Sequence, residues 1–141
     1  MVISMLRSCK YCGRIHDARM ECDALRKAKA KRRQRYQTES DIIDFRRTQA
    51  WTKKSLAIRE RDNFLCQVCI RNRADADARP LNYDSLSVHH IRPLSECMDT
   101  ALDDRNLITL CPLHHEMAEA GEISRDTLLE IVREQESKRG E

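Results

Sequence analysis

This sequence predicts a small α+β domain stapled by metal, with flanking helices and a cysteine-rich knuckle at its N-terminus. Three observations lead there. Charged residues make up 35% and aromatics only 4% of the 141 residues, so the apolar core is thin, and small domains with thin cores need staples. Six of the seven cysteines fall in two clusters at metal spacing with histidine nearby, which suits zinc better than a disulfide framework. Two short apolar, β-branched runs, 86–91 and 107–110, adjoin paired histidines and lead into a helix opened by Pro112. The length allows one compact domain with an appendage. No apolar run approaches a membrane span and no signal-peptide core follows Met1, so the expectation is a reduced, cytoplasmic protein.

Residues 1–23 read as a zinc knuckle. Cys9, Cys12, His16 and Cys22 stand in a C-x2-C-x3-H-x5-C arrangement, with Gly13 after the second cysteine to permit a tight bend. The intervening turn can aim backbone amides at the thiolates, and four ligands with none to spare describe a closed structural site. Too few apolar residues surround it to fold without metal.

Residues 24–41 read as a basic helix or linker. Ala, Lys, Arg and Gln fill 24–36 with basic residues on every face, so the segment buries no stripe and is a solvated helix, a charged linker, or a piece that becomes helical on nucleic acid. A break is expected at 38–41, where Ser40 or Asp41 can cap the next helix. Between 24 and 54 eleven basic residues face three acidic ones, which points to a polyanionic partner.

Residues 42–136 read as the main domain and 137–141 as a disordered tail. A helix over 42–61, in one piece or two, keeps Arg59 and Arg61 outside and carries Trp51, expected to anchor it on the zinc core. A turn at Asp62-Asn63 precedes Cys66-x2-Cys69, a second zinc half-site, and a polar loop between Ile70 and Asp84 with Arg71, Arg73, Arg79 and Pro80 comes after it. The helix from Pro112 ends at Gly121, and Ser124 caps a last amphipathic helix. Cys66, Cys69 and Cys111 need a fourth ligand. The paired spacing favours His114 over His115. Cys97 fits neither cluster and reads as a bystander thiol.

His89, His90 and His115 are then left over. Adjacent strand residues face opposite sides, so one of His89 and His90 can hold an ion while the other approaches a substrate. His115 can close on that ion from the helix. An ion with so few protein ligands keeps open positions, which a catalytic metal requires. Glu119, one turn beyond His115, reads as a solvated helix residue rather than a further ligand.

His89-His90-Ile91-Arg92-Pro93-Leu94, Asp104-Arg105-Asn106-Leu107 and 110–115 (Leu-Cys-Pro-Leu-His-His) resemble the HNH endonuclease family with its ββα-metal fold. The stretch from Trp51 through Arg61-Asp62 to Cys69 is similar to the lead-in of small stand-alone phage-type members. The resemblance implies that His90 is the general base, that His89 and His115 hold the catalytic divalent cation, and that Asn106 pins the loop between the strands. It implies hydrolysis of DNA to 5′-phosphate and 3′-hydroxyl ends. The family often has aspartate where His89 stands, so Mn²⁺, Ni²⁺ or Zn²⁺ becomes plausible beside Mg²⁺. Arg92, Lys53, Lys54, Arg32, Arg33 and Arg35 are expected to meet backbone phosphates with little sequence preference. A link to genome packaging with terminase subunits, in a host cytoplasm, is implied by resemblance alone. The rival readings are a non-catalytic zinc module that binds nucleic acid and an assembly factor.

Overall fold

The computed structural model describes residues 5–72 and 85–140; of the expected polar loop, Arg73, Arg79 and Pro80 lie outside them, while Arg71 instead ends a short helix. The chain divides into two units, Met1–Ile43 and Asp44–Glu141.

In the first unit, strands β1 (Leu6–Ser8) and β2 (Ile15–Asp17) form an antiparallel hairpin with Arg7 opposite His16. Between them the chain doubles back at Cys9, whose carbonyl accepts from Gly13 N at 2.8 Å. Gly13 has φ +71° with open space around its Cα, so it is the dihedral rather than crowding that requires glycine there. Helix α1 (Asp23–Arg46) comes next and buries none of its residues. Its stability rests on intrinsic propensity and on pairs one turn apart, such as Arg35 with Glu39 at 3.0 Å and Gln37 with Asp41 at 3.1 Å. The break expected at 38–41 is absent. Thr38 donates its hydroxyl to Gln34 O at 3.0 Å, so the group that would compete with the helix is satisfied inside it.

The second unit begins in the last turn of α1. Helix α2 (Gln49–Arg61) is capped by Thr48, whose hydroxyl accepts from Trp51 N at 3.2 Å. Asn63 and Phe64 both take left-handed backbone, φ 54° and 53°, turning the chain toward the short helix α3 (Gln67–Arg71). Gln67 braces this reversal by donating to the carbonyls of Asp62 and Leu65. Strands β3 (Ser87–His90) and β4 (Leu107–Leu110) pair antiparallel, His89 opposite Ile108 and His90 opposite Leu107. A 3-10 turn at Asp104–Asn106 leads into β4. Helix α4 (Pro112–Glu119) starts on proline and stops before Gly121 at φ +79°. Helix α5 (Arg125–Arg139), capped by Ser124, buries Leu128, Ile131, Val132 and Gln135, one stripe at helical spacing. The helix continues past residue 136 into the expected tail because Arg139 pairs with Asp104 at 2.9 Å.

The two-stranded sheet separates two apolar clusters. Ile108 and Leu110 face α5 with Ile91, Cys66 and Cys111, whereas Val88 and Leu107 face Ile58 and Trp51 of α2. Trp51 therefore docks on the strand face opposite the cysteines, a correction to the expectation that it anchors on the zinc core. Strand alternation decides this: Val88 and His90 share the face presented to α2, and His89 takes the other.

One polar group ties the unit together. Arg61 and Asp62 have side chains only 1% and 0% exposed and form a two-pronged pair at 2.8 and 3.1 Å. The Arg61 guanidinium also donates to Leu107 O at 2.7 Å, Asp104 O at 2.8 Å and Glu136 at 3.0 Å. Asp62 accepts from Thr109 N at 2.9 Å. Burial works against the guanidinium charge, yet Asp62 and Glu136 more than offset it and hold its pKa above the usual value. Asp62→Ala should cost about 3–5 kcal/mol by stranding that charge, whereas Arg61→Met with Asp62→Leu should cost far less. Urea unfolding of both zinc-loaded proteins, which should show this ordering, checks it.

Candidate active site and metal clusters

Cys66 precedes α3, Cys69 lies within it, Cys111 caps α4 and His114 sits in its first turn. The three sulfurs each lie 3.3 Å from His114 Nδ1, and Cys69 and Cys111 are 3.8 Å apart. A tetrahedral zinc with its usual bond lengths requires sulfur pairs at roughly 3.8 Å, so this donor set fits the ion. His114, not His115, completes the cage. Burial pushes the Cys66 thiol up, and burial together with Cys66 and Cys111 pushes Cys69 up to about 12. A cation placed among these sulfurs would favour their thiolate forms against that burial.

The N-terminal set is built differently and reaches a similar end. Cys9 and Cys22 sulfurs are 3.7 Å apart, and His16 Nδ1 donates to Asp17 O at 3.0 Å. The Asp17 carbonyl, then the Cys9 and Cys22 thiols, raise the imidazole's pKa to about 9, and its buried Nε2 makes no hydrogen bond of normal geometry. Backbone amides of Cys12 and Tyr11 lower the Cys9 thiol to about 6, as a turn that aims N–H groups at sulfur should. The donor atoms of Cys9, Cys12, His16 and Cys22 lie within 4.8 Å of one another.

A third cluster, without sulfur, joins β3 to α4. His89, His115 and Glu119 bring their donor atoms within the same 4.8 Å. The His89 and His115 rings meet edge to face, 4.8 Å between centroids. His115 Nδ1 is 2.6 Å from Ser87 Oγ, and its Nε2 is 3.2 Å from Glu119 Oε1. Ser87 thus fixes which nitrogen turns inward. With Nε2 given to a cation, the proton sits on Nδ1 and donates to the hydroxyl. Burial, then the nearby His115, lowers His89 to about 4, keeping it in the neutral form that binds metal. Burial falls from His89 to half-buried His115 to exposed Glu119, so the cluster is open on one side, unlike the two thiolate cages.

Glu119 is the residue that sequence reasoning set aside and geometry brings in. The signal was its position four residues after His115, one helical turn along the same face. Ser87 was missed altogether. A serine two residues before a histidine carries no pattern until the strand is paired.

His90 points away from this cluster. Its Nε2 donates to Ala101 O at 3.0 Å, and because a carbonyl only accepts, Nδ1 carries the free lone pair. The ring stacks on Trp51 at 4.7 Å and meets Phe45 edge-on at 6.1 Å. Burial lowers its pKa below 6.5 despite the Ala101 bond. Asn106 closes the loop after β3. Its Oδ1 accepts from Arg92 N at 2.7 Å, and its Nδ2 donates to Arg92 O, Thr100 O and Thr100 Oγ1 at 3.2–3.3 Å.

The expected phosphate contacts divide. Arg92 and Lys53 are exposed and make no side-chain ion pair among the described residues. Lys54 is instead held at 2.5 Å by Asp104, because the 3-10 turn places that carboxylate against α2. On α1, Arg35 pairs with Glu39, Arg32 lies over the Tyr36 ring at 5.5 Å, and Arg33 is exposed. Cys97 joins none of the clusters. No helix among the described residues is long and apolar enough to cross a membrane.

Comparison with known proteins agrees with this geometry. Residues 66–120 match the HNH endonuclease family. Among solved structures, the HNH endonuclease of the deep-sea thermophilic bacteriophage GVE2, crystallised with a manganese ion, is similar at 26% identity and a TM-score of 0.56. The match covers 65% of this chain and 92% of that one. No curated protein sequence matches. The matched span runs from the first core cysteine to the end of α4, and the similarity to the phage enzyme extends over more of the chain.

Proposed function

We propose that the protein is a metal-dependent endonuclease that hydrolyses DNA phosphodiester bonds to 5′-phosphate and 3′-hydroxyl ends. One observation carries the reading. A nitrogen-and-oxygen cluster open to solvent lies on one face of β3, and the next residue, His90, offers a single unprotonated nitrogen. His90 is the general base and removes a proton from the attacking water through Nδ1. The carbonyl of Ala101 holds its other proton, so the imidazole enters the reaction in one tautomer. Trp51 and Phe45 fix the ring plane. Asn106 is a positioning residue, acting through the loop that carries Arg92 and Ala101. His89, His115 and Glu119 would hold a divalent cation, which when bound supplies charge stabilisation at the scissile phosphate. Two imidazoles with one carboxylate bring Mn²⁺, Ni²⁺ and Zn²⁺ into range beside Mg²⁺. Cys66, Cys69, Cys111 and His114, and likewise Cys9, Cys12, His16 and Cys22, would hold structural zinc.

DNA is the substrate that the family likeness favours, with Arg92, Lys53 and the arginines of α1 (Arg32, Arg33, Arg35) taking backbone phosphates. A role in genome packaging with terminase subunits rests on the sequence resemblance alone. A pull-down with such subunits that recovers none would remove it.

Plasmid nicking with Mn²⁺ should fall at least about 100-fold in His90→Ala, the usual worth of a general base, with zinc content unchanged. Equal cleavage by the variant would sink the base assignment. A non-catalytic zinc module would leave the plasmid intact with wild type as well. Because burial holds the His90 pKa below 6.5, the base stays neutral through that value as pH falls, and the rate should decline only on further acidification. A rate profile that already declines above pH 6.5 contradicts this.

Glu119→Gln should weaken Mn²⁺ binding as loss of a ligand does. Ser87→Ala should weaken it roughly 10–100-fold, the usual effect of removing a ligand's hydrogen-bond partner. Isothermal titration of zinc-loaded protein measures both, and unchanged affinities would exclude them from the site. Prolonged chelation should unfold the second unit, seen as a loss of helical circular dichroism that zinc restores.

A further inference from the structure

Helix α5 lies beyond the stretch matched to the family, yet it forms one wall of a cleft of about 490 Å³ against the loop over 91–106. Arg125, Leu129 and Arg133 line that wall at intervals of four, one face of the helix. Opposite stand Arg92, Thr100 and Arg105, with Asn106 at the base. Arg92 and Arg133 are exposed and make no side-chain hydrogen bond or ion pair among the described residues. Arg105 touches Asp103 at 3.3 Å while remaining 80% exposed. Arg125 clasps Glu96 with two bonds, 2.7 and 2.9 Å, which fastens the start of α5 to the loop and sets the width of the cleft. Asp103 and Asp126 also line the cleft, so with Glu96 counted against Arg125 four guanidiniums still outnumber three carboxylates.

We propose that this cleft is a second anchoring site for the substrate, holding a DNA backbone phosphate that flanks the scissile bond. The inference rests on the nuclease reading and extends it to residues outside the family's span. Guanidinium is the side chain best matched to phosphate, through its planar fork of donors. The loop forming the far wall is the one that Asn106 pins and that supplies the Ala101 carbonyl to His90. A phosphate seated between Arg92 and Arg133 is therefore held by the same rigid piece that orients the base. A duplex offers phosphates closely spaced along its axis, so an anchor set to one side of the reaction centre is met by the same molecule.

The test is binding of a fluorescent non-specific duplex to the full-length, zinc-loaded protein across a salt series, without added divalent cation. Arg133→Ala should weaken binding several-fold and make the slope of log K against log salt shallower by roughly 0.9, the loss of one phosphate contact. Arg133→Lys should retain most of the slope. Lys138→Ala, on the same helix outside the cleft, removes equal charge and is the control. If Arg133→Ala and Lys138→Ala behave alike, the proposal is overturned. It is also overturned if inorganic phosphate binds in an Arg133-dependent way while the duplex slope is unchanged, for then the cleft takes a free anion. Plasmid cleavage is measured separately. Intact plasmid with a shifted slope would defeat the enzyme reading and leave the cleft, and normal cutting with an unshifted slope would do the reverse.

Discussion

The buried pair of Arg61 and Asp62 is the constraint on which the second unit depends. A guanidinium and a carboxylate taken fully out of water are tolerated only when every donor and lone pair finds a partner. Here those partners are the end of α2, both ends of β4, the 3-10 turn and the last turns of α5. An apolar substitute could fill the volume but could not dictate which carbonyl and which amide of β4 lie against the helix. Register in β4 in turn decides register in β3, since Leu107 sits opposite His90 and Ile108 opposite His89. A shift of one residue would exchange the faces of the two histidines. The pair thus specifies which imidazole meets His115 and which meets Trp51.

The apolar core is thin. The two clusters on either side of the sheet are small, and α1 buries no residue fully, Phe45 being half-buried. The cysteine cage joins α3 to α4 at the aliphatic cluster under the sheet, and burial raises the Cys66 and Cys69 thiols there. The third cluster differs in having no thiol among its donors and in opening to solvent through Glu119.

Much of this was legible in the residues. Cysteine and histidine spacing identified both cages, and the β-branched runs and Pro112 located β3, β4 and α4, since ligand spacing and strand periodicity are local signals. What escaped was non-local or weakly local. Arg61-Asp62 reads as surface charge at the end of a helix, and only partners 43 to 75 residues away reveal its burial. Glu119 looked like any solvated glutamate, because its value comes from an imidazole on another strand. Trp51 was assigned to the wrong cluster for the same reason: a residue's sequence shows that it will be buried, not against which face. The break expected at 38–41 failed on local grounds, since Thr38 satisfied its hydroxyl within the helix. The three-residue strands of the N-terminal hairpin are too short to produce a periodic signal.

Asn106 works as an acceptor on one edge of its amide and a donor on the other, gripping Arg92 N with oxygen and three carbonyl or hydroxyl oxygens with nitrogen. Conversion of that amide to a carboxylate by spontaneous deamidation would change one heavy atom and leave the volume intact. The new oxygen would then confront Arg92 O and Thr100 O, lone pair against lone pair, and the loop would spring away from the strand that carries His90. The lifetime of the loop that carries Ala101 is thereby tied to the hydrolytic ageing of one side chain, slowed by its own burial.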